Sequence, residues 1–172
     1  MFGAVADALP SIESVLYAGS YVDIAPSFVW SDVTYLDMDK RAARFFTDES
    51  GVQELLIENG VEPGAHNFTF LHTDYQSEVA FMEDSVDLLV SLYAGLISAS
   101  CTRFLRIGGH LLVNSSHGDA AMASIDARYE LRAVVKSSNG EYSVSHSSLG
   151  SYLIPKRDVV VNEELIRQTG RG

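Results

Sequence analysis

The stretch "SVLYAGSYVDIAP", residues 14–26, decides how the rest of the chain is read. A short β-rich apolar run ends at Gly19, and a helix-like stretch follows. A strand, a tight turn and a helix in that order is how many α/β proteins meet a nucleotide-type cofactor. Glycine tolerates positive φ and lets a ligand approach the backbone. The amides of the following helix would then face an anion. Such turns usually carry two or three glycines, and this one has only Gly19. Gly19 therefore either cradles a ligand or only makes the turn. Asp23 reads as the cap of a short helix starting at Ile24, with Pro26 tolerated in its first turn.

Working outward, the pattern repeats. "SDVTYLDMD" (31–39), "HNFTFLHTD" (66–74), "SVDLLVSLYAG" (85–95) and "GGHLLVNSS" (108–116) are four further apolar runs. Near-continuous apolar strands suit a parallel sheet buried on both faces. Between them lie helical stretches. Asp39 can cap "KRAARFF". "SGVQELLIENG" has Ser50 and Gln53 for a capping box and Gly60 for the left-handed position after the end. "GLISASCTRFLRIGG" reads as another helix, stopped by Gly108 and Gly109. In the last third, Asn139-Gly140 is a strong hairpin signal, and the tail holds a short helix. The expectation is a single domain over 1–172: a doubly wound, mostly parallel α/β sheet ending in an antiparallel hairpin. Right-handed crossovers put every strand's carboxyl end on one edge, where ligands bind.

Composition narrows the function. The chain has 172 residues, 47% apolar and 20% charged, with a net charge of −11. Those values suit one globular domain with a full core. The basic groupings Lys40-Arg41-Arg44 and Lys156-Arg157 are small and flanked by acids, so nucleic acid is disfavoured as a partner. No apolar stretch is long enough to span a bilayer. The N-terminus lacks the basic start of a secretory signal, which makes a soluble cytoplasmic protein the expectation. Cys101 is the only cysteine. It reads as a small buried helix residue, and a cysteine-rich metal site is excluded. No metal is expected.

Five stretches in order, "VLYAGS", "VTYLDMD", "FLHTD", "VDLLVSLYA" and "FLRIGGHLLV", resemble the class I S-adenosylmethionine-dependent methyltransferases over roughly residues 14–155. The resemblance implies a methyltransferase-like Rossmann fold and S-adenosylmethionine as cofactor. It places Gly19 and Ser20 at the glycine-rich turn. It makes Asp37, followed by Met38, the ribose-binding acid, and Asp74, followed by Tyr75, the acid that accepts from the adenine amino group. Ser91 and Tyr93 then stand at the end of the fourth strand, beside the transferable methyl group. The residues themselves are consistent with this. Asp37 stands 18 residues after Gly19, the distance at which an acid reaches ribose hydroxyls in dinucleotide folds. Asp74 reads equally as the opener of a turn, and Tyr93 as a half-buried ring at the core edge. His117 in "NSSHGD" is the candidate general base, with Ser115, Ser116 and Asp119 to orient it. The alternative is a surface histidine capping the next helix. His72 and His110 read as packed strand residues.

The family pattern also asks for glycines where this chain has Tyr21 and Asp23, and often for an acid where it has Tyr17. Two functions follow. One is a small methyltransferase acting on a small molecule or protein side chain, with Tyr93 and His117 as candidate catalytic residues. The other is a non-catalytic descendant that binds a nucleoside-like ligand or a protein partner at the same edge. A small-molecule ligand is expected in the first case. The methyl acceptor and the oligomeric state are left open.

Overall fold

The computed structural model describes residues 1–79, 83–155 and 160–170. Five strands form one sheet: β1 (Ser14–Ala18), β2 (Asp32–Asp37), β3 (Asn67–His72), β4 (Val86–Ser91) and β5 (Leu105–Val113). Their order is β3-β2-β1-β4-β5, and every neighbouring pair is parallel. The chain winds outward through β2 and β3 and then crosses back to β4 and β5. The order reverses between β1 and β4, which defines a doubly wound sheet and its switch point.

Period-two alternation explains the two-faced core. Val15 and Tyr17 join Val33, Tyr35, Leu88 and Val90 on one face. Leu16, Ala18, Leu36 and Leu89 join Ile97, Cys101 and Phe104 on the other. The first face is aromatic: Phe46 stacks on Phe70 at 4.5 Å between ring centroids and packs against Tyr35 at 4.9 Å. The other is mainly aliphatic. Each fully buried leucine or isoleucine contributes about 1.5–3 kcal/mol.

Helices cover both faces: α1 (Phe2–Ala8), α2 (Lys40–Thr47), α3 (Glu49–Glu58), α4 (Ile97–Cys101), α5 (Asp119–Ile125) and α6 (Glu163–Thr169). The sequence reading gave no element for residues 2–8. There α1 sets Phe2 edge-on against Tyr17 and Trp30, at 6.4 and 6.0 Å. Asp39 caps α2 by accepting from the Arg41 amide at 2.7 Å, as expected. Asp23 is not a helix cap: the single-turn helix runs over Ala25–Phe28 with Ile24 at its N-cap, and Asp23 Oδ1 accepts from the Ala25 amide at 3.0 Å in the turn before it.

Three further local expectations are corrected. The cap of α3 is Asp48, which accepts from Gly51 N; Ser50 lies inside the helix and donates to Asp48. A carboxylate two residues earlier outcompetes the serine hydroxyl for the same orphan amide. The helix expected through Gly108 stops at Cys101, and Leu105 already pairs with Val86 in β5. Residues 106–109 loop out of register before His110 pairs with Leu88, with Gly108 at φ 80°. That excursion brings Arg106 onto Asp87 at 2.8 Å. Strand pairing of Leu105 with Val86 and of residues 110–113 with 88–91 wins over local helical continuity. His72 is exposed rather than packed, and its Nε2 donates to the Met38 carbonyl at 3.2 Å.

The hairpin is present: β6 (Val134–Ser138) pairs antiparallel with β7 (Glu141–Ser145) around Asn139 and Gly140, both at positive φ. It forms a sheet of its own, not hydrogen-bonded to the parallel one, and β7 packs against α1. Lys156 and Arg157 lie outside the described residues. Among the described residues no helix is long and apolar enough to cross a membrane.

Candidate functional site

The carboxyl ends of the strands all open on one edge, and the loops there carry unusual backbone. Tyr21, after β1, has φ 51°; Tyr93, after β4, has φ 67°; His117, after β5, has φ 54°. None is glycine, and β1, β4 and β5 are consecutive in the sheet. Left-handed backbone in bulky residues costs on the order of 1 kcal/mol or more each and tends to gather at functional sites. Tyr93 is 76% exposed, Met38 65% and Tyr21 43%. The edge therefore presents large side chains to solvent.

The turn after β1 is bonded to the molecule's own groups. Gly19 has φ 69°, and a Cβ placed on it would lie 2.0 Å from the Ala94 Cβ. The missing side chain makes room for the β4–α4 loop, not for a ligand. The amide of Gly19 donates to the Leu36 carbonyl at 2.7 Å, and that of Asp23 to the Ser20 carbonyl at 3.0 Å. The amide of Tyr21 donates to Asp37 Oδ2 at 2.7 Å. Ser20 is buried, with its hydroxyl turned toward the Tyr21 carbonyl.

Asp37 stands at this edge, as expected, but it first serves the backbone. Its other oxygen, Oδ1, accepts from Asp39 N at 2.7 Å. A carboxylate offers about four acceptor positions, so capacity for two more donors remains. Asp74 stands on the neighbouring strand: β2 and β3 pair Asp37 with His72, and Asp74 lies two residues beyond. The two acids thus share one edge. Asp74 Oδ1 accepts from Gln76 N at 2.8 Å, so the turn-opening reading holds for that oxygen. Tyr75 leans across the edge and donates to the Ala94 carbonyl at 3.3 Å.

Electrostatics follow from these contacts. Hydrogen bonds from Arg41, with its guanidinium charge, hold Asp39 down at about 2. The same guanidinium lies 5.1 Å from the Tyr21 ring centroid. Burial, followed by the nearby Asp23 carboxylate, pushes the Tyr17 hydroxyl well above its ordinary value; Tyr17 donates to Asp23 Oδ2 at 3.3 Å. Burial pushes the Cys101 thiol up to about 12, which leaves it inert as a nucleophile at neutral pH.

Two expected roles are corrected. Ser91 is buried, and its hydroxyl donates to Asp119 Oδ2, so it is engaged below the edge. Asp119 does not orient His117. It accepts instead from the Ser98 amide at 3.1 Å and from the Ser98 hydroxyl, tying β4, α4 and α5 together. A carboxylate at the start of α5 reaches inward because Ser91 and Ser98 supply donors in the core. His117 is exposed, and its Nδ1 meets the Ser116 hydroxyl at 2.8 Å. Sequence reasoning missed Ala94, Ser98 and the buried role of Asp119. Only a serine at each strand or helix end could have hinted at that network. Among the described residues no group of His, Cys, Asp and Glu could hold a metal ion.

The strand order and its switch-point edge define a doubly wound α/β domain, the fold class expected from the sequence. No family model and no curated protein matches the chain. Solved structures do. The YcgJ protein from Bacillus subtilis is 19% identical, with 65% of this chain and 48% of that chain covered and a TM-score of 0.48. A SAM-dependent methyltransferase from Methanosarcina mazei is 17% identical, with 87% and 79% covered and a TM-score of 0.47. A chain from a DhpI-SAM-HEP complex is 14% identical, with 82% and 66% covered and a TM-score of 0.42. The present chain spans about half the length of the first. The fold assignment stands on the strand order itself.

Proposed function

We propose that this domain binds a nucleoside-type ligand at the carboxyl edge of its sheet, in the manner of a non-catalytic relative of the methyltransferase fold. The observation that carries this reading is the state of Asp37. Two backbone amides fix its carboxylate at 2.7 Å each, and an acceptor position on either oxygen remains for vicinal hydroxyls. Asp74, at the same edge, accepts through Oδ1 from Gln76 N among the described residues, and its other oxygen is the candidate acceptor for an exocyclic amine. The turn after β1 supports binding without transfer. Methyl transfer needs a donor held in one alignment, and the close packing of Ala94 on Gly19 takes away the backbone approach that would hold it. Calorimetric titration with adenosine and with S-adenosylmethionine tests the reading. Adenosine binds, and Asp37→Asn weakens it by about tenfold to a hundredfold, since one lost charge-assisted hydrogen bond costs about 1.5–3 kcal/mol. Absence of heat with adenosine at millimolar concentration removes the proposal.

A second reading, S-adenosylmethionine-dependent transfer to a small molecule or protein side chain, draws support from Tyr93 and His117. Both are exposed, on loops of adjacent strands, with strained backbone. Methyl transfer to a metabolite panel, lost in His117→Ala, would favour it over simple binding.

A further inference from the structure

The dipeptide Asn-Gly occurs at residues 59–60 and again at 139–140. An asparagine before glycine is open to attack on its own side chain. The amide nitrogen of the next residue can reach the carboxamide carbon, and glycine has no Cβ to obstruct it. Both copies are solvent-exposed, and both glycines have positive φ, 88° at Gly60 and 83° at Gly140. Their surroundings differ. At Asn59 both reacting groups are held. The leaving nitrogen, Nδ2, donates to the Leu55 carbonyl at 2.9 Å, and the attacking nitrogen, Gly60 N, donates to the Ile57 carbonyl at 3.0 Å. Val61 follows, buried, with its amide on the Leu56 carbonyl at 3.0 Å. Attack there requires the last turn of α3 to open. At the second copy, among the described residues, no hydrogen bond engages the Asn139 carboxamide or the Gly140 amide, and nothing lies within 4 Å of where a Cβ on Gly140 would stand. Residues 136–143 are all exposed, and the hairpin reaches the core only near its base, through Val135. A two-stranded sheet standing alone is marginal, and this one is not bonded to the parallel sheet. Its tip therefore opens with little loss of contact.

We propose that Asn139 is a site of spontaneous covalent modification, converted to aspartate and isoaspartate, and that the fold protects Asn59 in the same dipeptide. Gly140 N bonds to Asn139 Cγ as it gives up its proton. The Cγ–Nδ2 bond breaks, and the nitrogen leaves as ammonia, carrying that proton. Water then adds to either carbonyl of the cyclic imide. Opening at one carbonyl gives aspartate; opening at the other gives isoaspartate, whose main chain runs through the former side chain. Nothing is oxidised or reduced, and water is the only co-reactant. Either product sets a new carboxylate beside Glu141 and makes the net charge one unit more negative than −11. The modification is independent of any ligand at the sheet edge.

Incubation of the whole protein at mildly alkaline pH, followed by peptide mapping, tests the proposal, with Asn139→Asp as the chromatographic standard for one product. The same incubation in denaturant gives each site's rate without the fold. Dividing each folded rate by its denatured rate cancels intrinsic differences between the sites. The quotient at Asn139 exceeds that at Asn59 by at least about tenfold, a barrier difference of about 1.4 kcal/mol. The rate at Asn139 rises with pH, because the attacking nitrogen must lose its proton. A smaller gap between the quotients, a rate at Asn139 indifferent to pH, or no product there over a time in which the denatured chain converts, overturns the proposal.

Discussion

Strand β4 runs between two buried carboxylates that meet opposite fates. Asp87, at its amino end, is 5% exposed; Asp119, packed on its carboxyl end, is 1% exposed. Both accept backbone amides. Asp87 takes those of Glu13 and Ser14 at 2.8 and 3.0 Å, and Asp119 that of Ser98. Burial pushes both pKa values upward. At Asp87 the amides of Ser14 and Glu13, with the Arg106 guanidinium, outweigh burial and hold the carboxyl below its usual value. At Asp119 burial wins over the Ser91 and Ser98 hydrogen bonds, and the carboxyl lies above its usual value. Hydroxyl and amide donors satisfy geometry at either site, but only the amino edge adds a cation. The amino edge is thus built for stability, and the carboxyl edge carries a tolerated cost beside its loops.

The comparison can be broken most directly at the amino edge. Asp87→Ala leaves the Glu13 and Ser14 amides without their acceptor, and we expect a loss of roughly 3–5 kcal/mol in denaturant unfolding at pH 7. That is a large share of the roughly 5–15 kcal/mol available to a domain. Asp119→Ala should cost less, roughly 2–3 kcal/mol, because its partners are neutral. Asp119→Asn should stay within about 1 kcal/mol of the parent protein. The amide oxygen keeps the Ser98 donors, and the Ser91 hydroxyl turns to accept from the new NH2. A larger loss at position 119 than at position 87 would reverse the comparison.

Titration sharpens it further. Asp87 has a depressed folded pKa, so its contribution is complete above the unfolded value of about 4 and is lost as pH falls below it. Asp119 has a raised folded pKa, so its penalty is complete above that folded value and fades as pH falls toward about 4. The stability difference between the parent and Asp87→Asn should shrink on acidification below about pH 4. The parent should gain on Asp119→Asn as pH falls toward that point. Slopes of the same sign in the two difference curves would refute the contrast. A similarly small effect is expected for Arg106→Gln. Its guanidinium is half exposed, so the loss should be about 1 kcal/mol, with a weaker acid dependence at Asp87.

Much of the architecture was legible in advance. Five apolar runs gave five strands within a few residues, because strands covered on both faces are mostly apolar, as along β4 apart from Asp87 and Ser91. The Asp39 cap, Gly60 after α3 and the Asn139-Gly140 turn followed from local backbone chemistry. The helix through Gly108 was misread because its local pattern carries no sign of β4, the remote strand with which Leu105 and His110 pair. The site was legible only by residue type. Asp37 and Asp74 do share an edge, and Tyr93 and His117 do stand on exposed loops.

The sequence by itself determined the alternation of elements, the sharing of one edge by Asp37 and Asp74, and the acidic character of the turn after β1. Those depend on patterns a few residues long. Tertiary structure decided which groups stay available there. Ala94 fills the space beside Gly19, Asp37 holds the Tyr21 amide, and Asp119 turns inward to Ser91 and Ser98. Each depends on a contact across strands or between remote segments. A residue's type says what it can bond, and only the packed chain says which partner reaches it first.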